Sequence, residues 1–176
     1  MVERIGCIDI DGVLNYYPEP WLKFLYNKGH SYTTLDEAKQ NLSYKEYTGL
    51  KKDYRHSDVK RSQTPRKDSV EFTRRLSEMG YKVILKTTRP VKEHPHLVEW
   101  TYDWLRENGY CFDDVLFTRY NPQLVLSRYP GLSFMVDDEL ETVKFYMELG
   151  VKTYLFTGDY NIILGDLDEI SDNNNS

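Results

Sequence analysis

The sequence predicts an α/β fold, a doubly wound parallel sheet of five strands with helices on both faces. Three observations predict it. Apolar runs of four to six residues alternate with longer stretches of helical periodicity. Four of the five runs, at Arg4–Asp9, Lys82–Thr87, Ser133–Asp137 and Lys152–Phe156, are continuous rather than alternating, the mark of strands buried on both faces. Glycines then stand where the intervening helices should stop, at Gly80, Gly109 and Gly150.

The elements follow in order. The first strand is Arg4–Asp9. The stretch 16–65 is too long and too patterned for a βα loop. It carries two capping-box sequences, Thr34-Leu35-Asp36-Glu37 and Ser43-Tyr44-Lys45-Glu46, in which the first side chain and the Glu satisfy each other's free backbone N–H groups. It therefore reads as an insert of two or three short helices over the carboxyl edge of the sheet, where such folds bind ligands. A helix over Arg66–Met79 leads to the strand Lys82–Thr87. A helix over His94–Asn108, with Pro95 in its first turn, leads to a short strand Asp114–Phe117. Asn121–Tyr129, with Asn121 as N-cap, is the next helix, followed by the strand Ser133–Asp137, the helix Asp138–Leu149 and the strand Lys152–Phe156. The organisation expected is a core of 1–15 and 66–165, an insert of 16–65 and a polar tail of 166–176. The Asn-rich end, Ser171–Ser176, reads as disordered.

Composition bounds the function. The chain has 176 residues, 40% hydrophobic and 29% charged, with a net charge of −5. That sign argues against a surface built to grip duplex nucleic acid. Residues 51–75 depart from it, with nine Lys or Arg against four acids, either a solvated face or an attraction for an anionic substrate. Two cysteines form no spaced framework, so a reducing, cytoplasmic compartment is expected. No run approaches the length of a membrane span, and no membrane association is expected.

Three segments carry chemistry. Cys7-Ile8-Asp9-Ile10-Asp11-Gly12-Val13 ends an apolar strand in two carboxylates two residues apart, on one side of the chain. Gly12 permits the turn that follows. Carboxylates so close need a cation or a raised pKa to coexist, and hard divalent cations prefer oxygen ligands; Asp-Gly after a strand is also ordinary turn chemistry. Ser133-Phe134-Met135-Val136-Asp137-Asp138 is a second buried strand ending in paired acids, 128 residues on (137 − 9). A parallel sheet brings such ends together; Asp138 alternatively caps a helix. Val83-Ile84-Leu85-Lys86-Thr87-Thr88-Arg89-Pro90 ends a third strand in hydroxyls and an Arg, donors suited to phosphoryl oxygens.

Together these segments resemble the haloacid dehalogenase superfamily of phosphohydrolases. The Asp9-Ile10-Asp11-Gly12 segment resembles its first motif, Thr87 its second and the Asp137-Asp138 pair its fourth, over Arg4 to about Asn161. The Thr87-Thr88-Arg89-Pro90 segment and the helical insert are most similar to the 5′(3′)-deoxyribonucleotidase-like branch. Val136 to Tyr160 also resembles the 3′-phosphatase domain of phage polynucleotide kinase. The resemblance implies the strand order 5-4-1-2-3 and a Mg²⁺-dependent phosphomonoesterase acting on a small phosphorylated substrate, a nucleotide by the nearer branch. It implies Asp9 as nucleophile and Asp11 as acid and base. Asp9, Asp11 (through its backbone carbonyl), Asp137 and Asp138 are implied to hold the ion. Gly12, Thr87, Thr88 and Arg89 are implied at the phosphoryl oxygens. The third-motif Lys has no counterpart in Phe117–Gln123, so Arg119 takes its place, with Arg128 as second choice. Tyr16, Tyr17 and Trp21 either stack on a base or pack in a core, and His94 and His96 either start a helix or bind zinc. A single-strand 3′-phosphatase, a sugar-phosphate phosphatase and a non-enzymatic binding module are the other readings.

Overall fold

The computed structural model describes the backbone of residues 3–174 and the side chains of residues 3–170. Five parallel strands, β1 (Arg4–Asp9), β2 (Tyr81–Thr87), β3 (Asp114–Phe117), β4 (Phe134–Asp137) and β5 (Thr153–Leu155), form one sheet in the order β3-β2-β1-β4-β5. This is the expected order, read from the opposite edge. Strands β1 and β3 have the expected bounds, and the others shift by one residue at one or both ends.

The register explains the continuous apolar runs. Ile8 stands beside Leu85 and Val136, and Cys7 beside Ile84 and Met135. The first set packs under α5 (Ser69–Glu78), α6 (His96–Glu107) and α9 (Tyr160–Asn174), through Phe72, Leu76, Trp104, Leu105 and Ile163. The second packs on the opposite face under α7 (Leu124–Arg128) and α8 (Leu140–Glu148), through Val125 and Tyr146. With both faces covered, every position of β1 must be apolar or paired. At Gly6 a methyl group would stand 2.3 Å from the Phe134 ring, so the strand pair closes only over a glycine there.

The insert contains four helices rather than two or three: α1 (Glu19–Asn27), α2 (Leu35–Asn41), α3 (Tyr44–Arg55) and α4 (Asp58–Arg61). They enclose a core of their own, built on Trp21, Phe24, Leu25, Ala38, Leu42 and Tyr54. The capping box at Ser43 forms in full. At Thr34 only half forms: its hydroxyl accepts from the Glu37 N–H, while the Glu37 carboxylate reaches one residue further back, to Thr33.

Three expectations are corrected. Residues 166–174 are not a tail but the end of α9, with Leu167 buried against the core; residues 175–176 lie outside the described residues. Helix α7 starts at Leu124 behind Gln123, with no side-chain cap from Asn121. Asp138 does not cap α8, whose N-cap position is Glu139.

Candidate active site

Because β1, β2 and β4 are adjacent and in register, the period of two fixes what meets at their carboxyl ends. Asp9 stands directly beside Lys86, and Asp137 follows Val136, the partner of Ile8. Asp9, Lys86 and Asp137 therefore share one face of the sheet. Lys86 Nζ lies 2.8 Å from Asp9 Oδ1 and 2.5 Å from Asp137 Oδ2. All three side chains are buried. Burial disfavours the Lys86 charge, but Asp9 and Asp137 outweigh it and hold the ammonium well above the usual lysine range.

Asp138 completes this cluster. Oxygens of Asp9, Asp137 and Asp138 lie within 4.8 Å of one another. Burial pushes the Asp9 carboxyl well up, Lys86 opposes, and Asp137 and Asp138 push it further. Burial and then Asp137 raise Asp138 to about 6. Asp137 Oδ1 accepts from the Glu139 N–H at 2.8 Å. Asp137 Oδ2, although at ion-pairing distance from Lys86, receives no aligned hydrogen bond and is fully buried. With all three carboxylates ionised, the one ammonium leaves two negative charges unbalanced. Buried carboxylate oxygens with that surplus fit a hard divalent cation. Gly12 shapes the same spot: at φ +94°, a Cβ there would sit 2.0 Å from the Asp138 carboxylate.

Asp11 lies elsewhere. The strand ends at Asp9, so the two acids do not share a face as the spacing suggests. Asp11 meets Arg89 through a fork, Nε to Oδ2 at 3.0 Å and Nη2 to Oδ1 at 2.9 Å. It also meets Lys60 Nζ at 3.1 Å and the Asn15 amide at 2.9 Å. Burial alone would raise its pKa, but Arg89 and Lys60 bring it well below the carboxylate range. Lys60, buried and repelled by Arg89, is itself lowered to about 8. Gln63 ties the set together, accepting from Asn15 at 3.0 Å and donating to Tyr54 at 2.7 Å.

Other expected residues separate. Thr87 is buried and its hydroxyl faces Asp11 at 3.4 Å. Thr88 and Arg119 line the cleft above the cluster, with Tyr17, Lys51 and Arg55 from the insert. The Gly12 N–H already donates to Asn15 Oδ1 at 3.1 Å, so it is not a free phosphoryl donor. The cation holding Asp9 is Lys86, not Arg119, and Arg128 is a surface residue 3.6 Å from Asp114. Trp21 is fully buried in the insert core and Tyr16 lies outside the cleft, leaving Tyr17 alone of the three aromatics at the site. His94 pairs with His56 of the insert at 3.1 Å, and His96 with the Arg55 carbonyl at 2.9 Å, so both seat the insert on the core.

Sequence reasoning missed Lys86, Lys60, Asn15 and Gln63. Lys86 alone left a signal, a charge inside a run otherwise buried on both faces, which needs a buried partner.

The cleft holds about 280 Å³. Its floor is the sheet edge and its roof is the insert, an enclosure suited to a small ligand. No protein-family model and no curated protein matches the sequence. Solved structures do share the fold. A hydrolase from Streptococcus pneumoniae TIGR4 is 16% identical, covers 92% of this chain and 97% of its own, and superposes with a TM-score of 0.60. A phosphonoacetaldehyde hydrolase-like protein from Oleispira antarctica is 14% identical over 86% of this chain and 71% of its own, with a TM-score of 0.59. A "predicted phosphoglycolate phosphatase" from Haemophilus somnus 129PT is 16% identical over 90% and 87%, with a TM-score of 0.55. At these identities the likeness establishes a shared α/β architecture.

Proposed function

We propose that the chain is a phosphomonoester hydrolase that works through an aspartyl-phosphate on Asp9. The observation that carries the reading is the buried convergence of Asp9, Asp137 and Asp138 on Lys86, at the floor of a roofed cleft. Burial and their neighbours raise the pKa of Asp9 and of Asp138, and perturbed carboxylates in a cleft cluster at functional sites.

Asp9, oriented by Lys86, attacks phosphorus while the alcohol leaves, and water then releases phosphate from the aspartyl ester. Asp11 serves proton transfer to the leaving oxygen and from the water. Because Arg89 and Lys60 hold it ionised, this role requires those cations to be shared with the phosphoryl oxygens. Thr88 lines the same space, and Thr87 positions Asp11. Asp9, Asp137 and Asp138 would hold Mg²⁺, which suits few protein ligands and several waters. When bound, the ion neutralises charge at the phosphoryl group.

A nucleotide is the substrate favoured by Tyr17, an aromatic side chain lining the cleft. The single-strand reading loses its support, because the basic stretch is divided. Lys51, Arg55 and Lys60 turn into the cleft, whereas Arg74 pairs with Glu71 and Glu78 on the outer face of α5. The test is a panel of nucleotides, sugar phosphates and a 3′-phosphorylated oligonucleotide, assayed with Mg²⁺ and with chelator. Turnover of a small ester should require the ion and vanish in Asp9→Asn; retained turnover in that variant refutes the nucleophile assignment.

A further inference from the structure

Of the six cations lining the cleft, three are used at its floor: Lys86 on Asp9 and Asp137, and Arg89 with Lys60 on Asp11. The other three, Lys51, Arg55 and Arg119, stand higher. Arg55 ends α3 of the insert and Arg119 follows β3 of the core. Among the described residues neither guanidinium makes a hydrogen bond or ion pair. Burial and then Arg119 lower the Arg55 pKa, so the two charges face each other across the cleft without an acid between them; Glu93 attracts Arg55 more weakly and accepts from Tyr120 instead. Lys51 stands beside them with its ammonium 4.2 Å from the Trp21 ring centre and 2.8 Å from the Tyr17 hydroxyl. In a chain of net charge −5, these three cations stand without an ion pair among the described residues, although Glu139 also lines the cleft.

We infer that Arg55 and Arg119 form a second anion subsite, so that an ester bearing a further oxyanion, a carboxylate or a second phosphate, on the group that leaves is preferred over a simple monophosphate. The inference rests on the phosphatase reading for which end of the ligand reacts. Guanidinium forks match either oxyanion in a planar, two-point manner. One fork comes from the insert and one from the core, so the second anion also draws the two parts together over the reacting phosphate. Lys51 contributes a donor: its pKa, lowered to about 6 by burial and then by Lys60 and Arg55, rises when an anion enters, and a proton is taken up.

The experiment uses matched pairs differing only in the second anion: 2-phosphoglycolate against ethyl phosphate, and a nucleoside 3′,5′-bisphosphate against the 5′-monophosphate. The first pair tests a carboxylate and the second a phosphate. In wild type the doubly anionic member of at least one pair should be favoured about tenfold or more in kcat/KM, as expected for a charge-assisted contact. That ratio should fall to within about twofold of unity in Arg55→Gln and in Arg119→Gln. A ratio near one in wild type, or one kept in both variants, overturns the inference. If no ester turns over, the phosphatase reading has failed, and binding decides the subsite separately. Phosphonoacetate against methylphosphonate, titrated by calorimetry, should show the same preference, the same loss in the variants, and proton uptake that disappears in Lys51→Met. Equal affinities for the two phosphonates would sink the subsite as well.

Discussion

Replacing Lys86 by Met isolates the cation that the site depends on. Met keeps the unbranched stem, so the packing in β2 changes little, while the charge between Asp9 and Asp137 goes. Lys86 is 3% exposed, Asp9 7% and Asp137 1%, so water cannot replace the ammonium. Removing one partner of a buried ion pair costs about 3–5 kcal/mol. For a chain of this length each kcal/mol moves the melting temperature by about 2–4 °C, so the expected fall is about 6–20 °C. The assay is urea and thermal unfolding at pH 7.5, with and without Mg²⁺. Mg²⁺ should restore part of the loss, up to about 2.7 kcal/mol at a hundred times its dissociation constant. The double variant Lys86→Met/Asp137→Asn separates electrostatics from packing. Asn removes the charge Lys86 compensates, so the combined loss should be smaller than the sum by about 1–3 kcal/mol. A Lys86→Met protein within about 1 kcal/mol of wild type, or strictly additive losses, would refute the account of the floor.

Stability should also rise with pH because of the insert. Lys51 is lowered to about 6 and Lys60 to about 8, while both titrate near 10.4 in the unfolded chain. The unfolded state therefore binds more protons between about pH 6 and pH 10. Stability climbs across that window by at most about 1.4 kcal/mol per pH unit per lysine. In Lys51→Met, denaturant midpoints should show a flatter slope between pH 6 and 8; an unchanged slope counts against a buried neutral amine. Gly12→Ala should cost about 1–3 kcal/mol from its left-handed backbone and should also weaken divalent-cation binding, because the new methyl group displaces Asp138. Calorimetric titration of Mg²⁺ with wild-type affinity in that variant would show that Asp138 is not part of the cation site.

The sheet was legible because each of its strands obeys a rule local to a few residues. Continuous apolar runs specify strands buried twice, and glycines mark where helices stop. The insert was legible in kind, since Ser43 and Glu46 close their box on each other with no outside help. What was not legible depended on register. Asp9 and Asp11 look like a pair until β1 is seen to end at Asp9, after which the backbone turns one of them toward Arg89. Lys86 looks like an intruder before Thr87 until β1 and β2 are aligned and it faces Asp9. Lys60 and Gln63 carry no sequence signal, because they reach the Asp11 network only through the folding of residues 16–65 back onto the core, and Asn15, four residues after Asp11, shows its contact only once the turn is formed. Helix α9 was missed for another reason: its polar end resembles a tail, and its apolar contacts lie on the side that meets α5.

These placements bear on what the insert does. A lid that only covers a cleft changes which substrates enter and how tightly they bind. This insert also brings Lys60 to Asp11 and Gln63 to Lys60 and Asn15, while Asn15 meets Asp11 from the end of the preceding core segment, and Lys60, Gln63 and Asn15 are buried together. Its seat on the core, through the His56–His94 and His96–Arg55 contacts, is thus coupled to the charge around Asp11. Lys60→Met should therefore lower kcat by about ten- to hundredfold, the usual penalty for losing a group that positions a catalytic one, with a smaller change in KM for a small ester. A lid alone predicts the opposite division, KM raised and kcat kept. If Lys60→Met raises KM and leaves kcat near wild type, the insert is a cover and Asp11 is organised by Arg89 alone.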